Sequence, residues 1–268
     1  MSGATLIQVP YHLGREGVVL GAGPGPLAKE IGGESVVVER AEPFDNEVAS
    51  SFDVIRALAH TVQAKLAAGR FPLVLAGNCN SSLGTVAGLG REVGVVWFDA
   101  HADFNTPDTT PTGFFDGFGL AMLTGSGWQT LRETVNGHRP VPEELALLVG
   151  ARDVDPREEE RLAASAIGRA DAGSLADALD DLAGRVDAVY VHIDLDVLDP
   201  SEGQANSLAV PGGFSAAELE SALEAVQARF DVPAAALTAY EPPCDPEGRV
   251  PRVAAGLAQL LAPQAVAR

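Results

Sequence analysis

Seven short apolar runs recur along the 268-residue chain, at 4–9, 35–38, 72–76, 93–98, 145–149, 188–193 and 234–239. Most are apolar at nearly every position. Such runs fit strands buried on both faces, which arise where helices cover both sides of a parallel sheet. Stretches with helical spacing lie between several of them, at 51–68, 158–164, 174–182 and 215–228. The last opens with Ser215 followed by Glu218, the signature of a capping box. Strands alternating with helices restrict the chain to α/β architectures. No Ser/Gly-rich linker or internal repeat divides it, so the expected fold is a single-domain three-layer α/β/α sandwich with a central, mostly parallel sheet over residues 1–268. The stretch 17–26 carries Gly21, Gly23 and Gly25, but Pro26 stands where a dinucleotide loop needs its third glycine. With no clear strand-turn-helix context following, it reads as a turn-rich connection.

Charge narrows the partners. With 18 Lys+Arg against 37 Asp+Glu the formal net charge is −19, which repels phosphate backbones and anionic lipid heads. No nucleic-acid or membrane partner is expected. The two cysteines, Cys79 and Cys244, have no CxxC spacing, so neither a disulfide framework nor a thiolate zinc motif is read. The amino terminus lacks the pattern of a secretory signal, and no apolar run is long enough to span a bilayer. A cytoplasmic protein is expected.

Two apolar runs pass directly into acids. The first reads Val95-Val96-Trp97-Phe98-Asp99-Ala100-His101-Ala102-Asp103, and the second Val189-Tyr190-Val191-His192-Ile193-Asp194-Leu195-Asp196. Continued strand geometry would place Asp99, His101 and Asp103 on one face as the strand emerges, and likewise Asp194 and Asp196. Each motif alone could be a cap or a turn. Together they bring four carboxylates to one sheet edge, where mutual repulsion calls for cations. Two divalent ions balance four negative charges. Oxygen ligands with one imidazole suit Mn2+, with Zn2+ and Fe2+ left open by ligand type. Paired ions that activate water imply hydrolysis.

The chain resembles the arginase and agmatinase (ureohydrolase) family nearly end to end. The resemblance is carried by Asp99-Ala100-His101-Ala102-Asp103, by His192-Ile193-Asp194-Leu195-Asp196-Val197-Leu198-Asp199-Pro200, and by Val210-Pro211-Gly212-Gly213. It implies an α/β sandwich holding two Mn2+ ions, with a bridging hydroxide that attacks a guanidinium carbon. Asp99 and Asp194 would bridge the ions, Asp103 would bind the first, and His101 and Asp196 the second. In Ala76-Gly77-Asn78-Cys79-Asn80, Cys79 stands where the family supplies a further ligand histidine. Sulfur is softer than Mn2+ prefers, so the first ion is expected to be the weaker one.

The resemblance also assigns a substrate site. Asn105 and Thr112, in the loop Phe104-Asn105-Thr106-Pro107-Asp108-Thr109-Thr110-Pro111-Thr112-Gly113, would read an α-carboxylate, and Asp155 an α-amino group. Glu241 would hold the guanidinium. Asp116 occupies the place of a proton-shuttling histidine, and an ordinary carboxylate is a poor donor at neutral pH. Both departures resemble the Nω-hydroxy-L-arginine amidinohydrolase branch of cycloserine biosynthesis. The implied reaction cleaves an arginine-like amino acid, Nω-hydroxy-L-arginine or L-arginine, to ornithine and hydroxyurea or urea. Agmatinase or guanidino-acid hydrolase activity is one alternative, and a metal-depleted, non-catalytic binding or regulatory subunit is another. The family's habit implies a homo-oligomer. His12, His60, His138 and His192 receive no chemistry, with His192 read as a packing or supporting residue, and Cys244 reads as an ordinary loop thiol.

Overall fold

The computed structural model describes residues 3–40 and 46–262, and the rest of the expected 1–268 span lies outside them. The strands are β1 Ala4–Val9, β2 Tyr11–His12, β3 Arg15–Glu16, β4 Ser35–Val37, β5 Phe71–Ala76, β6 Gly94–Phe98, β7 Ala146–Val149, β8 Gly168–Ala170, β9 Val189–Asp194 and β10 Ala235–Thr238. The helices are α1 Pro24–Ile31, α2 Glu47–Ala67, α3 Ser82–Leu89, α4 Gly119–Leu123, α5 Gln129–Arg132, α6 Pro156–Ala163, α7 Leu175–Ala183, α8 Ala216–Gln227 and α9 Arg249–Leu261. Strands β2 and β3 form a small antiparallel pair. The other eight make one sheet in the order β4-β1-β5-β10-β9-β6-β7-β8, with every pairing parallel.

Two buried clusters flank that sheet, because strand side chains alternate between its faces. In β6, Val95 and Trp97 join a core with Phe52, Ile55 and Leu58 of α2, Leu83 of α3 and Leu120 of α4. Val96 and Phe98 point the other way, to Leu27 of α1, Leu179 of α7, Leu219 and Leu223 of α8 and Leu257 of α9. The result is the expected three-layer sandwich. Both faces of β5, β6 and β9 are covered, which is why β5 and β6 are free of charged residues and β9 is apolar apart from His192 and the terminal Asp194. Ser215 and Glu218 form the expected capping box on α8.

The glycine-rich stretch needs correction. Gly23 leads directly into α1, whose N1 residue is Pro24, so a helix does follow. The glycines there permit close contact: a Cβ at Gly21 would meet the His12 backbone nitrogen at 2.8 Å, and one at Gly23 the Tyr240 carbonyl oxygen at 2.1 Å. Gly23→Ala is therefore expected to lower unfolding free energy by about 1–3 kcal/mol, the usual cost of overpacking. A urea titration with an unchanged slope and a lower midpoint would register it. An unchanged midpoint would show that this contact relaxes freely.

Strand order also locates the functional edge. The chain passes from β5 to β6 across two strand positions that β10 and β9 fill later, so the carboxyl ends of β5, β10, β9 and β6 lie side by side. Reversals of this kind open a crevice beyond the strand ends, where α/β proteins bind ligands.

Candidate metal centre

At that crevice lies a cavity of about 220 Å3, lined among others by Cys79, His101, Asp103, Asn105, Thr112, Asp116, Asp155, Asp194 and Asp196. Asp99 is more deeply buried and accepts hydrogen bonds from Trp97 Nε1 at 2.9 Å and the His101 backbone N–H at 2.7 Å. His101 Nδ1 lies 3.4 Å from both Asp99 Oδ1 and Asp196 Oδ2. The Cys79 thiol donates to Asp194 Oδ2 at 3.0 Å. The structure thus gathers the acids and their two neighbours at one place.

The acids do not reach it by continuing two strands. Strand β6 stops at Phe98, and Asp103 has φ +48°. Asp196 sits in a single 3-10 turn after β9, where its backbone N–H donates to Asp194 Oδ1 at 2.9 Å. The simple alternation over 99–103 and 194–196 is therefore replaced by turns. These turns satisfy backbone N–H groups with the acids themselves, since Ala100 N–H also donates to Asp196 Oδ1 at 3.2 Å.

Burial controls the electrostatics. It pushes the Asp99, Asp103 and Asp194 carboxyls up, with neighbouring acids adding to the effect. Burial also acts upward on Asp196, but His101 and Asn206 hydrogen bonds outweigh it and leave Asp196 below the usual range. For His101 burial acts downward, and Asp196 and Asp99 overcome it to hold the imidazole up at about 12. Burial raises Asp116 to about 7, although Asn78 Nδ2 and the Asn80 backbone N–H both donate to it. With one imidazolium among so many buried acids, ionising them would leave excess negative charge, which divalent cations would offset. Among the described residues two sets of donors are close enough to hold one: the ligating atoms of Asp99, His101 and Asp196 lie within 4.8 Å of one another, as do those of Cys79, Asp99 and His192.

The proposed substrate residues divide. Asn105 Nδ2 donates to Asp155 Oδ2 at 3.1 Å, so these two meet in the cavity wall, and Asp155 also caps α6 in a box with Glu158. Thr112 lines the outer cavity and accepts from the Phe114 backbone N–H. Glu241 does not line this cavity. Its Oε2 accepts from the Ser207 backbone N–H at 3.1 Å and from Cys244 at 3.4 Å.

Two residues without an assignment from sequence, together with His192, read from sequence as a packing or supporting residue, also shape the site. Asn206 lines the cavity and donates from Nδ2 to Asp196 Oδ2 and to the Ala239 carbonyl. Arg152 donates to the carbonyls of Asp196, Val197, Leu198 and Val210, and so pins the loop that follows β9. His192, fully buried, stacks on Trp97 at 3.6 Å between ring centroids. No local pattern marks Asn206 or Arg152 as special, since both act through loops distant in sequence.

The family model described as "Arginase family" matches residues 21–262. An arginase of Brevibacillus brevis is 35% identical over 215 residues, covering 75% of this chain and 71% of that protein. One of Bacillus caldovelox is 30% identical and covers 96% of this chain and 97% of its own length. The solved structure of the Bacillus caldovelox arginase superposes with a TM-score of 0.87 at 25% identity, covering 99% of this chain and all of the other. A proclavaminate amidino hydrolase of Streptomyces clavuligerus, at 18% identity and TM-score 0.73 over 96% of this chain and 90% of its own, shares the fold. With parallel sheet, clustered acids and nearly full-length similarity in agreement, the chain belongs to the arginase family and is a hydrolase acting on carbon–nitrogen bonds in linear amidines.

Proposed function

We propose that this hydrolase is a manganese-dependent amidinohydrolase of an arginine-like amino acid, with Nω-hydroxy-L-arginine preferred to L-arginine. The observation that carries the reading is one cavity in which clustered acids share a wall with the Asn105–Asp155 pair. Among the described residues no Lys or Arg lines it, whereas Asp103, Asp116, Asp153, Asp155, Glu158, Asp194 and Asp196 all contribute. Such a lining favours a cation. Asn105 and Asp155 offer donor and acceptor groups suited to the amino-acid end, which disfavours agmatine. Residues 1–268 would form one domain and assemble as a homo-oligomer in the cytoplasm.

Asp99, His101, Asp194 and Asp196, with Asp103, would hold Mn2+, and the Cys79 side would hold it less firmly. Bound divalent ions supply an activated water and polarise the amidine. The protein's own groups orient the substrate. Asp155 takes the ammonium, Asn105 and Thr112 the carboxylate, and Glu241 becomes a guanidinium partner if its link to Ser207 opens. Asp116, raised to about 7, is able to carry a proton near neutral pH. Its two oxygens already accept protein N–H bonds, so donation competes with those contacts. A hydroxylated guanidine, less basic and with a better leaving group, depends less on that donor. Steady-state kinetics on the three substrates with Mn2+ should rank kcat/KM as Nω-hydroxy-L-arginine, then L-arginine, then agmatine. Equal or higher kcat/KM on L-arginine would overturn the substrate preference.

A further inference from the structure

The two donor sets in the centre differ in chemistry. Asp99, His101 and Asp196 offer oxygen atoms and one nitrogen, and His101 is partly exposed to the cavity. Cys79, Asp99 and His192 offer sulfur, oxygen and nitrogen, and all three are buried. Asp194 Oδ2, 3.0 Å from the Cys79 thiol, adds a second oxygen on that side.

His192 has the surroundings of a metal-ligating imidazole. Its Nδ1 lies 3.1 Å from Tyr190 Oη, and stacking on Trp97 fixes the ring plane. Ligating histidines characteristically have one nitrogen tied to an oxygen partner, which orients the other toward the metal. Here the other nitrogen, Nε2, meets only a long contact of 3.4 Å to Thr238 Oγ1. Thr238 Oγ1 is also 3.2 Å from Cys79 Sγ, so sulfur and imidazole nitrogen converge on the same hydroxyl. We propose that the Cys79 side of the centre is a distinct sulfur–nitrogen–oxygen site in which His192 is a ligand, and that it selects a borderline-soft divalent cation such as Zn2+ or Co2+ over Mn2+. Thiolate and imidazole favour such ions, whereas oxygen-rich sets favour Mn2+. The centre then takes two different metals, joined through Asp99, which belongs to both sets.

This inference rests on the metal centre described above and not on the choice of substrate. Loading the full chain with Co2+ should give a near-ultraviolet thiolate-to-metal charge-transfer band. Cys79→Ser should abolish the band, and His192→Phe should weaken Co2+ binding at that site by at least about tenfold. X-ray absorption on His101→Ala loaded with one equivalent of Zn2+ removes the rival imidazole and tests His192 without altering it. The expected shell contains one sulfur at about 2.3 Å and an imidazole nitrogen at about 2.0–2.1 Å. Absence of the cobalt band, a Zn2+ shell lacking sulfur or imidazole, or unchanged Co2+ affinity in a folded His192→Phe would each overturn the proposal. Should His192→Phe fail to fold, the His101→Ala spectrum decides. Intact metal signatures without amidine hydrolysis would overturn the proposed function alone.

Discussion

Asp99→Asn is expected to lower kcat by at least about a thousandfold, roughly 4 kcal/mol of transition-state stabilisation, and to deplete both metals together. Asp99 is the side chain common to the two donor sets, so no other single change among them should have so broad an effect. The amide retains the shape but loses the charge. Without metal the effect on stability should reverse. Asp99 is 1% exposed, and its charge raises the pKa values of Asp103 and Asp194. Replacing it removes one acid from a buried cluster whose members raise one another's pKa values, which relieves the cost of burying its charge when no metal compensates it. The metal-free variant should therefore melt above the metal-free wild type, while the metal-loaded variant melts below its wild-type counterpart. Calorimetry on all four samples tests the crossing. If Asp99→Asn lowers both melting temperatures equally, its hydrogen bonds from Trp97 and His101 outweigh its charge.

How much of this was legible in the sequence depends on what each segment buries. Strands β5, β6 and β9 are covered on both faces, so they appear as apolar runs, broken in β9 only by His192 and the terminal Asp194. Helices α2, α6, α7 and α8 mix buried and exposed positions and were located to within a few residues. Helix α3 escaped that reading because nearly all of it is buried, which leaves no polar stripe to mark a period. Helix α9 carries Pro251 in its first turn, a position where proline is tolerated although it resembles a break. Strand β8 is three residues long and mostly exposed, with no apolar run to reveal it. The candidate site was legible as a set of residues but not as a shape. Nothing in 99–103 foretells the positive φ of Asp103, and nothing local to His192 shows that its ring lies beside Cys79, 113 positions earlier in sequence. Such contacts depend on strand order, which brings β5 near β9 across β10, a strand that comes later in the sequence than either.

Removing the metals should lower the melting temperature at pH 7 and alter how stability responds to acid. Binding at a hundred times Kd contributes about 2.7 kcal/mol per ion, and each kcal/mol moves the melting temperature of a domain this large by about 2–4 °C. Two ions at that saturation correspond to a drop on the order of 10–20 °C with a chelator. In the apoprotein Asp99, Asp103, Asp116 and Asp194 have carboxyls raised above their unfolded values, so the folded state binds more protons than the unfolded one. Stability then falls as pH rises through that interval, and acidification restores it. For Asp116 the window runs from about 7 down to the unfolded value of 3.8. His138, pushed down to about 4 by burial and Arg132, acts in the opposite direction between its unfolded value of 6.5 and 4, because the unfolded chain takes up that proton first. His12 and His192, also pushed down by burial, act in the same direction as His138, so a His138→Gln background reduces the opposing contribution without removing it. In that background the apoprotein should melt higher at pH 5.5 than at pH 7.5, while the metal-loaded protein should melt lower, as protons compete with metal for the same carboxylates. Parallel pH dependence in the two forms would mean that these acids keep ordinary pKa values without metal, and that burial alone does not hold them protonated.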